Sequence, residues 1–230
     1  MEYLINQLIQ EGYLKTPRII EAFKKIKRED FVPESLKNEA DINAPLPIGY
    51  GATISQPLTV AFMMELLQPM PGDKILDIGS GSGWQTALLA YCVSHQGKQG
   101  KIFAIERIPE LLEFGKKNVA KYNFLAPHRT SGASSGAGME KGIVEFICAD
   151  GSKGYPNIAA CPELVEGFDK IIAAASAEDI PIAWKEQLKI GGRLVTPVKS
   201  SIWLLIKKGE DKFEQKEFPG FAFVPLISDR

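Results

Sequence analysis

Apolar residues recur at helical spacing near the start of the chain, then change period at residue 74 to short runs typical of buried strands. Within residues 2–11, Leu4, Ile5, Leu8 and Ile9 share one helical face. "TPRIIEAFKKI" opens with Thr16 at an N-cap position and Pro17 at the first helical position, and it sets Ile19, Ile20, Phe23 and Ile26 on one side. These two segments predict a small helical cap, and "PLTVAFMMELL" (57–67) predicts a further helix. Downstream, "KILDI", "KIFAIE", "IVEFICAD", "FDKIIAAA" and "GRLVTPV" predict strands, with "WQTALLAYCV", "PELLEFGKKNVAKY" and "PIAWKEQLK" as helices between them. Such alternation predicts an α/β fold, a doubly wound and mostly parallel sheet covered on both faces. "IWLLIKKGEDKFEQKEF" predicts two strands around a Gly-containing turn, an antiparallel hairpin at one sheet edge. Two stretches break the rhythm. Residues 126–142, small, polar and glycine-rich, are expected to form a mobile loop, and residues 156–168 a surface excursion.

The 230 residues suffice for a single domain: a helical cap and loop over 1–56, then the α/β core over 57–230. Lys plus Arg number 27 and Asp plus Glu 28, a net charge of −1, so electrostatics gives no reason to expect a nucleic acid or an anionic membrane as partner. The N-terminus lacks a basic n-region and a continuous apolar run, so it reads as a helix and not as a signal peptide. Three cysteines without C-x-x-C spacing fit a reduced, cytoplasmic compartment and are expected as buried thiols.

Chemistry concentrates where the first core strand ends. "ILDIGSGSGWQTALLA" puts Gly79, Gly81 and Gly83 between a strand and a helix, where backbone can approach a ligand closely and helix amides attract negative groups. One glycine there could serve a tight turn alone; three alternating ones point to a ligand. A dinucleotide fingerprint would need glycine at 84, where Trp84 stands, or glycine or alanine at 86, where Thr86 stands. Asp77, Gly79, Gly81 and Gly83 instead resemble the acid-x-Gly-x-Gly-x-Gly pattern of class I S-adenosylmethionine (AdoMet) methyltransferases, with their Rossmann-like fold. Glu106 ends the second core strand, where a carboxylate can accept from both ribose hydroxyls; a solvated strand end is the alternative. Asp150, followed by Gly151, is placed to accept from the adenine amino group, or else forms an ordinary Asp-Gly turn.

"LPIGYGATISQP", "LDIGSGSGWQTALLA", "IERIPEL", "ADGSKGYP", "LKIGGRLVTPV" and "FVPL", in this order, resemble the protein-L-isoaspartate (D-aspartate) O-methyltransferase family. The resemblance spans nearly the whole chain apart from the two foreign stretches, and T-I-S-Q-P is its most diagnostic block. It implies transfer of a methyl group from AdoMet to the free carboxylate of L-isoaspartyl and D-aspartyl residues in damaged proteins and peptides, with no metal. It implies Ser55 as the active-site residue. Implied cofactor contacts are Thr53, Ser55, Asp77, Gly79, Ser80, Gly81 and Gly83, with Glu106, Arg107, Asp150 and Gly151 on the nucleoside side. Tyr50, Ile54, Val224 and Pro225 are the implied substrate contacts, with "YGATIS" and "FAFVPL" as opposite walls of a peptide groove. Pattern alone offers Ser55 a second role as the cap of the helix that Pro57 begins. A monomer is expected. The rival expectations are a methyltransferase dedicated to one peptide or small molecule, a module that binds AdoMet without turnover, and an NAD-dependent oxidoreductase.

Overall fold

The computed structural model describes residues 1–94, 99–125, 142–156 and 158–227. Its elements are α1 (Glu2–Gln10), α2 (Pro17–Lys25), β1 (Leu46–Gly49), β2 (Ala52–Ile54), α3 (Pro57–Leu67), β3 (Lys74–Ile78), α4 (Trp84–Val93), β4 (Lys101–Glu106), α5 (Pro109–Ala120), β5 (Val144–Cys148), β6 (Phe168–Ala173), α6 (Ile182–Glu186), β7 (Leu188–Val198), β8 (Ser201–Gly209) and β9 (Lys212–Pro219). Seven strands form one sheet in the order β5-β4-β3-β6-β7-β8-β9. Its first five strands are parallel, and β8 and β9 return antiparallel to make the edge hairpin.

Alternation along each strand divides the core. Ile75, Ile102, Ala104 and Ile172 face the side covered by α3, α4 and α5, with α1 and α2 as a further layer. Leu76, Ile78, Phe103, Ile105 and Ile171 face the other side, closed by Trp184 of α6, Phe168 and Leu164. Layering explains why α3 and α4 are apolar nearly all round: each lies between the sheet and the cap, so neither keeps a solvent face. Phe23 of α2 meets Trp84 of α4 edge to face at 5.6 Å, fastening the cap to the core.

Several local expectations are corrected. Thr16 occupies the N-cap of α2 but its side chain makes no capping bond. Its hydroxyl donates to Glu65 of α3 (2.7 Å), and that carboxylate accepts the Lys15 and Thr16 amides (both 2.8 Å), so a neighbouring helix supplies the cap. α6 stops at Glu186 and "LKI" joins β7, where Lys207 donates to the carbonyls of Lys185 and Leu188 (both 2.8 Å) and closes the helix end. Residues 46–54, expected as a loop, form the hairpin β1–β2. Phe168 begins β6 and Leu164 is buried, so the excursion at 156–168 rejoins the core before its predicted end. Cys92 is buried as expected, but Cys148 is exposed and Cys161 half-buried. Of the 126–142 loop, residues 126–141 lie outside the described residues, as do both histidines.

Candidate active site

β3 ends at Ile78, and the chain turns through Gly79 and Ser80, whose amides both donate to the Ile105 carbonyl of β4 (2.9 and 3.0 Å). Gly81 (φ +49°) and Gly83 (φ +84°) take left-handed backbone. At Gly83 the reason is also steric, since a Cβ would stand 2.8 Å from Val119 Cγ2 and 3.0 Å from the Gly115 carbonyl oxygen. α5 thus presses against the turn, and Asn118 Nδ2 donates to the Ser82 carbonyl (3.0 Å). Gly83 is therefore a close-approach glycine between helix and turn. Gly79 and Gly81 face the open space beyond the strand ends.

Asp77 is fully buried and lies beneath this turn, outside the cavity lining. One oxygen accepts from Gln85 Nε2 (2.8 Å), the other from Thr86 Oγ1 (2.6 Å), so the carboxylate binds the first turn of α4 to the strand. Burial pushes its pKa up to about 6, against the two hydrogen bonds that lower it. Glu106 stands at the carboxyl end of β4, largely buried, and each oxygen accepts one backbone amide: Gly81 (3.0 Å) and Ile108 (3.0 Å). Each oxygen keeps a further lone pair, enough for the two hydroxyls of a vicinal diol. Asp150 is drawn into its own turn, Oδ1 accepting from the Ser152 amide (2.9 Å) and hydroxyl (2.6 Å). Its neighbours Ala149 and Gly151 reach the cavity.

The cavity has a volume of about 230 Å³. Its floor is Ile78, Gly79, Gly81 and Ile105, with Glu106, Arg107, Ile108 and Leu111 along one side. Tyr50–Thr53 of the β1–β2 hairpin form one wall, and Val224–Ile227 another. That second wall is held by Ser176, whose amide donates to the Val224 carbonyl (2.8 Å) and whose carbonyl accepts the Leu226 amide (2.7 Å). The hairpin tip is bent hard: Gly49, Tyr50 and Gly51 have φ of +95°, +54° and +74°, and the Tyr50 side chain is exposed. A smaller cavity of about 30 Å³ adjoins the first and shares Thr53, Gly79, Gly81 and Ala174 with it. Ile54, Ser55, Ser80, Trp84 and Gln85 line it. On two of these lining residues, Ser80 Oγ and Trp84 Nε1 are buried without a hydrogen-bond partner among the described residues.

Folding thus gathers Tyr50, Thr53, Gly79, Gly81, Glu106, Arg107, Gly151, Val224 and Pro225 around the larger cavity, and Ile54, Ser55 and Ser80 around the smaller one. It sets Asp77 and Gly83 behind them and turns the Asp150 carboxylate toward Ser152. The capping role for Ser55 is excluded: Gln56 is the N-cap of α3, and Asn43 Oδ1 accepts the Leu58 amide (3.0 Å). Sequence reasoning missed the apolar lining from Ile78, Ile105 and Leu111, whose signal is only their position at strand ends and on a helix face. It also missed Trp84 and Gln85, which directly follow Gly83.

The family model described as protein-L-isoaspartate(D-aspartate) O-methyltransferase (PCMT) matches residues 1–230. The protein-L-isoaspartate O-methyltransferase of Methanopyrus kandleri is 38% identical over 232 residues, covering 99% of this chain and 91% of its own. Protein-L-isoaspartate O-methyltransferase 2 of Archaeoglobus fulgidus is 42% identical over 228 residues, covering 98% and 91%. A crystal structure of a Plasmodium falciparum protein-L-isoaspartate O-methyltransferase, in complex with S-adenosyl-L-homocysteine, superposes with a TM-score of 0.81 over 99% of this chain and 98% of that one, at 21% identity, and so shares the fold. With the family model matched from end to end and relatives near two-fifths identical over almost their full length, the chain belongs to the protein-L-isoaspartate (D-aspartate) O-methyltransferase family.

Proposed function

We propose that this chain transfers the methyl group of AdoMet to the free carboxylate of L-isoaspartyl and D-aspartyl residues in damaged proteins and peptides. The observation that carries the reading is the pair of joined cavities at the carboxyl end of the sheet, one mostly apolar with Glu106 in its side, the other small and lined by Ser55, Ser80 and Gln85. A nucleoside suits the first and the amino-acid part of AdoMet the second. Glu106 would accept from the ribose hydroxyls, and Ser80 Oγ and Trp84 Nε1 would donate to the carboxylate end. Ala149 and Gly151, on either side of Asp150, would border the adenine where they line the larger cavity. Bound AdoMet supplies a methyl group on a sulfonium that carries its own leaving group.

The chain itself then has little proton chemistry to do. A carboxylic acid with a reference pKa near ~4 is ionised at pH 7, so its oxygen needs no general base. Ser55 and Thr53 hold the acceptor at the junction of the two cavities, and the two walls exclude water from it. Alignment of this sort is worth ~7–11 kcal/mol in favourable cases. The product ester lets the following backbone nitrogen close a succinimide with loss of methanol, and hydrolysis returns part of it to aspartate. The working form we take to be a cytoplasmic monomer whose substrate enters as an extended segment between the hairpin and Val224–Ile227. The test uses a radiolabelled methyl donor with one peptide in isoaspartyl and aspartyl versions. Label on the isoaspartyl version alone, whatever the flanking sequence, is the expected result; label on neither, or on both alike, rejects the reading. Ser55→Ala should lose transfer while retaining S-adenosylhomocysteine binding, a result that counts against a non-catalytic binding module, which has no transfer to lose.

A further inference from the structure

Arg28 is the charged side chain most out of place in this fold. It lies in a 3-10 turn, Arg28–Phe31, only 1% exposed, and bonds to no carboxylate among the described residues. Its guanidinium spends its donors on backbone carbonyls. Nη1 donates to Ala40 (2.8 Å) and Ile42 (3.2 Å), and Nη2 to Ala44 (2.8 Å) and Ser55 (3.2 Å). Nε, also buried, has no partner among the described residues. The guanidinium carbon sits 5.4 Å from the centre of the Trp84 ring. Burial lowers its pKa to about 10, with Asp41 acting in the opposite sense. A charge taken this far from water with no carboxylate bonded to it among the described residues is costly, so stability alone is a poor reason for it.

Its contacts share one geometrical property. Ala40, Ile42 and Ala44 precede the β1–β2 hairpin and Ser55 follows it, so one planar fork ties both feet of the hairpin together. The hairpin carries Tyr50–Thr53 to the larger cavity, and Ser55 lines the smaller. Beneath the fork, Trp84 is the first residue of α4, directly after Gly83 of the glycine turn. Arg28 therefore touches the acceptor-side segment and the donor-side helix at once. We infer that Arg28 is a positioning residue for methyl transfer: it fixes the hairpin foot at Ser55 against the glycine turn, and so sets the distance between acceptor and donor. The inference rests on the methyltransferase reading above. Lysine cannot replace the fork, because an ammonium offers three donors from one point and no plane to stack.

The experiment measures kcat and KM with an isoaspartyl peptide, and Kd for S-adenosylhomocysteine, in wild type, Arg28→Gln and Arg28→Ala at a temperature where circular dichroism shows each variant folded. Misplacing reacting groups by about an ångström costs on the order of 100-fold. Arg28→Gln is expected to lose about 10- to 100-fold in kcat while Kd for S-adenosylhomocysteine stays within about threefold, and added methylguanidinium should restore part of the kcat of Arg28→Ala. A folded variant with kcat near wild type, or one whose loss follows an equal loss of nucleoside affinity, overturns the inference. If Arg28→Gln does not fold, Arg28→Lys is judged by the same criterion. Collapse of every substituted chain would make the residue structural only and equally overturn it. Wild-type protein that fails to methylate the peptide would instead bring down the methyltransferase reading, and this inference with it.

Discussion

Asp77 is fully buried with one hydrogen bond to each carboxylate oxygen, and that arrangement has a measurable pH signature. In the unfolded chain its pKa is the ordinary 3.8; in the folded chain burial raises it to about 6. The folded state then binds more protons than the unfolded state between those two values, so this group's contribution to stability falls as pH rises through the window. A shift of two units corresponds to roughly 3 kcal/mol. Asp77→Asn removes the titration. Thermal unfolding of both proteins at pH 4 and pH 7 should show the variant gaining on wild type by up to about 3 kcal/mol at the higher pH. A difference independent of pH would mean that Asp77 is not desolvated as described. Arg28, by contrast, stays charged across any usable pH, which suits a residue whose work is geometric.

Among the elements, α5 and the residues that follow β9 decide the shape of the site. α5 brings Gly115 against the glycine turn so closely that a Cβ there would stand 2.8 Å from the Gly81 carbonyl oxygen. Gly83→Ala meets the same crowding together with an unfavourable φ, and is expected to destabilise the fold by about 2–4 kcal/mol in chemical denaturation. A cost below about 0.5 kcal/mol would show that the helix can withdraw. After β9, the Phe221 ring stacks on Phe62 of α3 at 5.2 Å, and Ser176 fixes Val224 and Leu226. Val224 thereby lines the same cavity as the hairpin residues Tyr50–Thr53. Val224→Ala removes the equivalent of two methylene groups from that wall, about 1–2 kcal/mol when fully covered. We expect KM for an isoaspartyl peptide to rise about 5- to 15-fold with S-adenosylhomocysteine affinity little changed. An unaltered KM would remove this wall from the peptide groove.

On the scale of the whole molecule, ligand binding and stability are coupled because the site is assembled from distant segments. Residues 50–55, 78–84, 105–111, 149–151, 174–175 and 224–227 meet only in the folded chain. A ligand held there at 100 times its Kd adds about 2.7 kcal/mol. For a chain of this length, S-adenosylhomocysteine should therefore raise Tm by roughly 5–10 °C. NADH should leave Tm unchanged, in keeping with Trp84 standing where a dinucleotide site needs glycine. A shift with NADH alone would reverse that assignment.

The sequence by itself determined the strand–helix alternation from residue 74, the edge hairpin, the glycine turn and the family, because each is written in local period or in contiguous motif. Glu106 was legible in the same way, as an acid at a strand end. Tertiary structure alone decided that Asp77 works from below the turn, that Glu65 caps another helix, and that Asn43 and not Ser55 caps α3. It also decided that Arg28 joins the hairpin to α4. These are contacts between residues far apart along the chain, and which partner a polar group finds depends on what the core brings near it. Local pattern encodes the elements; only the closed core allots their polar atoms.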